Sequence, residues 1–177
     1  MMSGAATWYL NRGTGVVLLV LLTLVTVLGI AATGRGFSAL WPRFATQALH
    51  RRLALLATVL LGVHATTAVV DDYVDITWWQ ALIPVGATYK PLWLGLGTLA
   101  LDIFAALAIT GALRSRMPAR AWRGIHLTAY LCWAIAMAHG VGIGTDARAS
   151  WYLGLTLGCG ALVLAAPTVR IVKVRTA

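Results

Sequence analysis

Five apolar runs divide this chain, about Gly13–Thr33, Leu49–Val70, Leu92–Leu113, Gly124–Ile143 and Trp151–Val169. A run of about 18 or more apolar residues, wound as a helix, is long enough to cross the hydrocarbon of a bilayer. Inside lipid the backbone polar groups have only one another as partners, so a span is a helix or part of a closed barrel. The Leu/Val/Ala runs lack the two-residue alternation of a barrel strand. The sequence therefore predicts an all-α integral membrane protein, one domain over 1–177, with five transmembrane helices. Charge agrees, because only 11% of the residues are charged against roughly 25% in a soluble domain.

The net charge of +9 does not point to nucleic acid, since the basic residues fall in short clusters between apolar runs. Arg35, Arg43, Arg51 and Arg52 precede or open the second run; Arg114, Arg116, Arg120 and Arg123 precede the fourth; Arg170, Lys173 and Arg175 follow the fifth. The alternate connections hold Asp71, Asp72 and Asp75 against Lys90, and Asp146 against Arg148. Positive residues stay on the cytoplasmic side of a membrane. This orients the chain with its N-terminus outside and its C-terminus inside, in the plasma (inner) membrane. Arg12 alone sits on the unexpected side. Trp8, Tyr9, Trp41, Tyr73, Trp78, Trp79, Tyr89, Trp93, Trp151 and Tyr152 gather near the run ends, as an interfacial belt does. Cys132 and Cys159 lie within apolar runs and read as small apolar residues. The first run is too long, and too poor in preceding charge, for a cleavable signal peptide.

The four histidines fall on two of the runs, His50 and His64 on the second, His126 and His139 on the fourth. Fourteen residues turn an ideal helix about 1400°, about 40° short of four turns, so His50 and His64 leave one face, about 21 Å apart along the axis. The second and fourth helices run the same way through the membrane. His50 and His126 then share a depth near the cytoplasmic face, and His64 and His139 a depth near the outer face. Each pair suits one planar cofactor clamped between two helices. Haem is the natural candidate, since imidazole ligates iron and the porphyrin is apolar apart from its propionates. Two histidines on one iron leave no open position, which is chemistry for electron transfer. The thirteen-residue step from His126 to His139 leaves them about 140° apart on an ideal helix. The fourth helix must be kinked, with Gly140 and Gly142 as candidates, or its histidines must approach from different sides.

His-x13-His on one helix and His-x12-His two helices later resembles the ferric reductase-like transmembrane domain family. That family comprises ferric reductases, NADPH oxidases and the haem-binding subunit of a periplasmic methionine sulfoxide reductase system. The resemblance spans roughly Gly13 to Val169. It implies two b haems stacked across the bundle, with His50 and His126 as axial ligands of the inner one and His64 and His139 of the outer. It also implies electrons passing from a cytoplasmic or membrane donor to an acceptor outside, such as ferric iron, oxygen or a periplasmic redox protein. The family core usually has six helices where five are seen here. Ferric reductases and NADPH oxidases continue into a flavin and NADPH domain, whereas no glycine-rich dinucleotide fingerprint occurs in this sequence. The expectation is an electron-transfer subunit of an oxidoreductase, served by a separate flavoprotein or quinol.

Around this core, Arg51, Arg52 and Arg123 flank the inner histidines and are candidate partners of haem propionates, or ordinary cytoplasmic anchors. Arg12 is the corresponding candidate at the outer haem. Gly13, Gly15 and Gly62 would let a macrocycle approach the backbone, or serve plain helix packing. Asp102 is a carboxylate in the middle of the third span, where a charge is costly. It is expected to be protonated, paired or turned to a polar cavity. Asp102 also supports a rival reading, a quinol oxidoreductase subunit. A rival of another class is a non-redox transporter or assembly protein with structural histidines.

Overall fold

A computed structural model describes residues 4–33, 42–71 and 74–175, with backbone alone at 4, 33 and 169–175. Arg35, Trp41, Asp72 and Tyr73 lie outside the described residues, as do the side chains of Arg170, Lys173 and Arg175. Among the described residues the chain is all helical. The helices are α1 (Gly4–Thr33), α2 (Arg43–Val70), a short α3 (Trp78–Leu82), α4 (Pro91–Ala112), α5 (Ala119–Ile143) and α6 (Ser150–Arg175). All but α3 are long and apolar enough to cross a membrane, as in a multi-pass membrane protein. α1, α2, α5 and α6 outrun the apolar stretches of the sequence, while α4 matches its own in length, because a helix need not stop where hydropathy falls. Hydropathy marks the buried length, and the polar turns of α1, α2 and α5 continue beyond it.

Two antiparallel hairpins make up the bundle: α1 packs along α2 and α4 along α5, while α1 also packs against α5 and α6. One end of the bundle carries Arg43, Arg114, Arg116 and Arg120; the other carries Asp71, Asp75 and Asp146. We call these the arginine end and the acidic end. Neither histidine helix packs extensively on the other among the described residues, so their imidazoles meet across an interior space. Midway along the bundle, Leu18, Leu21, Ala57, Phe104 and Cys132 form a buried apolar cluster. Ala57 stands seven residues from both His50 and His64, so this layer divides the space in two. Trp133 Nε1 donates to the fully buried Thr23 Oγ1 at 2.9 Å, tying α5 to α1.

The acidic end has structure that hydropathy does not reveal. In α3 a capping box joins Thr77 and Gln80, and Thr98 Oγ1 on α4 donates to the Gln80 carbonyl at 2.8 Å. Lys90 precedes α4 in the left-handed region, at φ 39°. Its Nζ donates to the carbonyls of Gly142 and Ile143, both at 3.2 Å, closing the last turn of α5. Trp78, Trp79 and Trp151 are exposed at helix ends as a belt requires, but Tyr152 is buried in the bundle.

Candidate functional site

The four histidines come together as two pairs. Ring centres of His50 and His126 are 6.2 Å apart, and those of His64 and His139 are 6.5 Å apart. A metal held between two imidazoles needs about 2 Å at each bond plus about 1 Å from each nitrogen to its ring centre, about 6 Å in all. The separation therefore fits one metal atom between each pair. The ring planes cross at 67° and 85°.

Three of the rings are locked by the same local device. His50 Nδ1 donates to the Val25 carbonyl at 2.9 Å, His64 Nδ1 to that of Asn11 at 3.0 Å, and His139 Nδ1 to that of Trp93 at 2.7 Å. A carbonyl only accepts, so each Nδ1 carries the proton and each Nε2 keeps a free lone pair, the tautomer a metal requires. Such a hydrogen bond also fixes ring orientation and raises the basicity of the ligating nitrogen. Each carbonyl lies four residues before a glycine: Gly29, Gly15 and Gly97. A Cβ at Gly15 would come within 3.1 Å of His64 Cε1, one at Gly29 within 3.5 Å of His50 Cε1, and one at Gly97 would collide with the His139 ring. The glycines are the floor on which the imidazoles rest. Asn11 adds a hydrogen bond of 2.8 Å from its side-chain amide to the His64 carbonyl and one of 3.2 Å to Thr67 Oγ1.

His126 is the exception. Its Nδ1 is buried with no partner among the described residues, and its ring stacks on Trp122 one turn earlier, centres 4.6 Å apart. The Arg114 guanidinium lies 4.4 Å from the Trp122 ring centre. α5 runs as one helix from Ala119 to Ile143, and the two histidines that it carries thirteen residues apart have different supports. His139 rests on α4, and His126 rests on its own helix.

A cavity of about 270 Å³, with mainly apolar lining, reaches both His64 and His139. The mid-bundle residues Leu18, Phe104 and Cys132 line it, as do Trp8, Arg12, Tyr89 and Asp146 of the acidic end. Arg12 is ion-paired with Asp146 and lies 4.7 Å from the Trp8 ring centre. Its apparent misplacement in the sequence thus has a local anion to answer it. Arg51, Arg52 and Arg123 are exposed near the inner pair. Of the glycines that the sequence brought forward, Gly15 touches a histidine, while Gly13 and Gly62 face open space. Gly29, Gly97, Asn11, Trp122 and Arg114 were missed.

A family model described as Domain of unknown function (DUF8596) matches residues 6–146, which include all four histidines, their glycine seats and the Arg12–Asp146 pair. The chain belongs to this family. The DUF8596 match ends before α6, so both histidine pairs and their supports are built from family elements alone. No curated protein matches the chain.

Proposed function

We propose that this DUF8596 chain is the membrane core of a dihaem b-type cytochrome, passing electrons from a donor at the arginine end to an acceptor at the acidic end. The observation that carries this reading is the double imidazole pair, at one-metal spacing, with three Nδ1 protons committed to backbone carbonyls. His50 and His126 would hold one b haem and His64 and His139 the other. Haem, when bound there, would supply one-electron chemistry. The chain's own residues do the rest. The carbonyls of Val25, Asn11 and Trp93 aim the ligating nitrogens, and the Leu18–Ala57–Phe104–Cys132 layer excludes water between the two sites. Arg12 is the cation at the outer cavity and would exchange Asp146 for a haem propionate; Arg51, Arg52 and Arg123 serve the inner one.

The arginine clusters favour a cytoplasmic side for that end, in a plasma (inner) membrane. The donor is then a flavoprotein or a membrane quinol, and the acceptor is ferric iron, oxygen or an extracytoplasmic redox protein. The resemblance to the ferric reductase-like transmembrane family supports the same direction of flow.

Sealed vesicles test the claim. Haem-loaded protein is reconstituted around trapped ferricyanide, dithionite is added outside with valinomycin and potassium to balance charge, and ferricyanide absorbance is followed. Wild-type protein should bleach the trapped acceptor, and His64→Ala should slow bleaching towards the leak of protein-free vesicles. A wild-type rate equal to that leak would contradict electron transfer across the membrane.

A further inference from the structure

Asp102 stands at the centre of α4, eleven residues after its start and ten before its end, hence about 16 Å from either end. Asp102 is the one acidic residue of the chain inside an apolar span; the other four acidic residues are Asp71, Asp72, Asp75 and Asp146. Its side chain faces neither the imidazole space nor the cavity. It is exposed on the outside of the bundle, in a strip with Leu99, Ala105, Ala106 and Ile109. Among the described residues no group of this chain bonds it. A carboxylate at mid-membrane on a lipid-facing surface is costly and calls for a partner.

The strip itself says what kind. Ala105 and Ala106 beside Asp102 leave room for another helix to approach closely, as small residues do at membrane helix contacts. Asp102 supplies an acceptor in surroundings where a matching cation or donor is worth most. A second copy of this chain does not match. All copies share one orientation, and a two-fold contact would set Asp102 against Asp102. Arg12 stands six residues before Leu18 and Arg52 five before Ala57, so each lies about 7–9 Å along its helix from the central layer, whose Phe104 is two residues from Asp102, and Arg12 is already paired with Asp146.

We propose that the outer face of α4 docks a transmembrane helix of a different protein, one carrying a lysine or arginine at mid-membrane opposite Asp102. This rests on the five spans crossing a membrane and is independent of haem binding.

The test uses labelled full-length protein in phosphatidylcholine vesicles and three synthetic Leu/Ala transmembrane peptides, with Lys, Leu or Asp at the centre. Association is read by energy transfer. The Lys peptide should associate about five to thirty times more strongly than the Leu peptide, the range of an interhelical polar contact in a bilayer. Asp102→Asn and Asp102→Leu should reduce that preference to near unity. Asp102→Leu removes a charge from a lipid-facing position, so it is expected to fold, and its circular dichroism verifies this. Equal binding of Lys and Leu peptides, or a Lys preference that survives in Asp102→Leu, would overturn the proposal. So would self-association of the labelled chain that Asp102→Leu abolishes, which would give this face to a second copy. Binding of a short-chain quinone that depends on Asp102, without any Lys-peptide preference, would also overturn it. None of these readouts depends on haem content.

Discussion

An imidazole that donates to the second lone pair of a helical carbonyl lies over the residue one turn further on, where a side chain would take the ring's space. Gly15, Gly29 and Gly97 keep that space open. Gly97→Ala places a methyl group in the His139 ring, and overpacking of this kind costs typically about 1–3 kcal/mol. We expect Gly97→Ala to lose the outer haem while keeping its helical circular dichroism, with haem content measured per chain. Gly62→Ala, adjoining open space, should keep full haem content and so serve as the control. Equal haem in both variants would remove the glycine from the account. The histidines were legible in the sequence because there are only four and all fall on two apolar runs, and Gly15 was offered beside Gly13 and Gly62 with nothing to single it out. Gly29 and Gly97 were not, since a glycine in a membrane helix reads as ordinary packing. The legible signal was a matching interval: Gly15 and Gly29 are fourteen residues apart, like His50 and His64, on antiparallel neighbouring helices.

At the scale of elements, that interval explains why the two hairpins differ. Gly97 and Gly111 are also fourteen apart, but His126 and His139 are thirteen apart. With His139 on Gly97, His126 falls one position out of step with Gly111, which has open space before it. The sequence showed the mismatch but left kink and different approach open; the structure keeps α5 as one helix and gives His126 a different support, the Trp122 stack. Spans were legible from hydropathy, whereas α3 was not, because five residues are too few for a periodic signal. Lys90 offers an element-scale test. It holds a left-handed backbone, costly for any residue with a Cβ by about 1–2 kcal/mol, and its amine closes α5. Lys90→Ala should lower stability by about 1 kcal/mol through the lost amine alone. Lys90→Gly should recover part of that by relaxing the backbone. Thermal unfolding in detergent, followed by circular dichroism, orders the variants; Lys90→Gly falling below Lys90→Ala would contradict this division of roles.

Across the whole molecule, the arrangement is one of layers. An imidazole pair near the arginine end, an apolar plug, an imidazole pair near the acidic end and a cavity over the latter follow one another along the bundle axis. Two helices present the imidazoles, and α1 and α4 supply the carbonyls and glycines that hold three of them. The order of the layers was legible, since histidine depth follows from span boundaries and charge clusters. The plug was not, because Ala57 and Cys132 are indistinguishable by composition from residues facing lipid. The direct measurement is haem per chain on purified protein made with ample haem supply, by the pyridine haemochrome method, with a dithionite-reduced minus oxidised spectrum. Two b-type haems per chain, falling to about one in His64→Ala and in His126→Ala, is the result this account predicts. A well-folded preparation without haem, or a content that neither substitution changes, would contradict it.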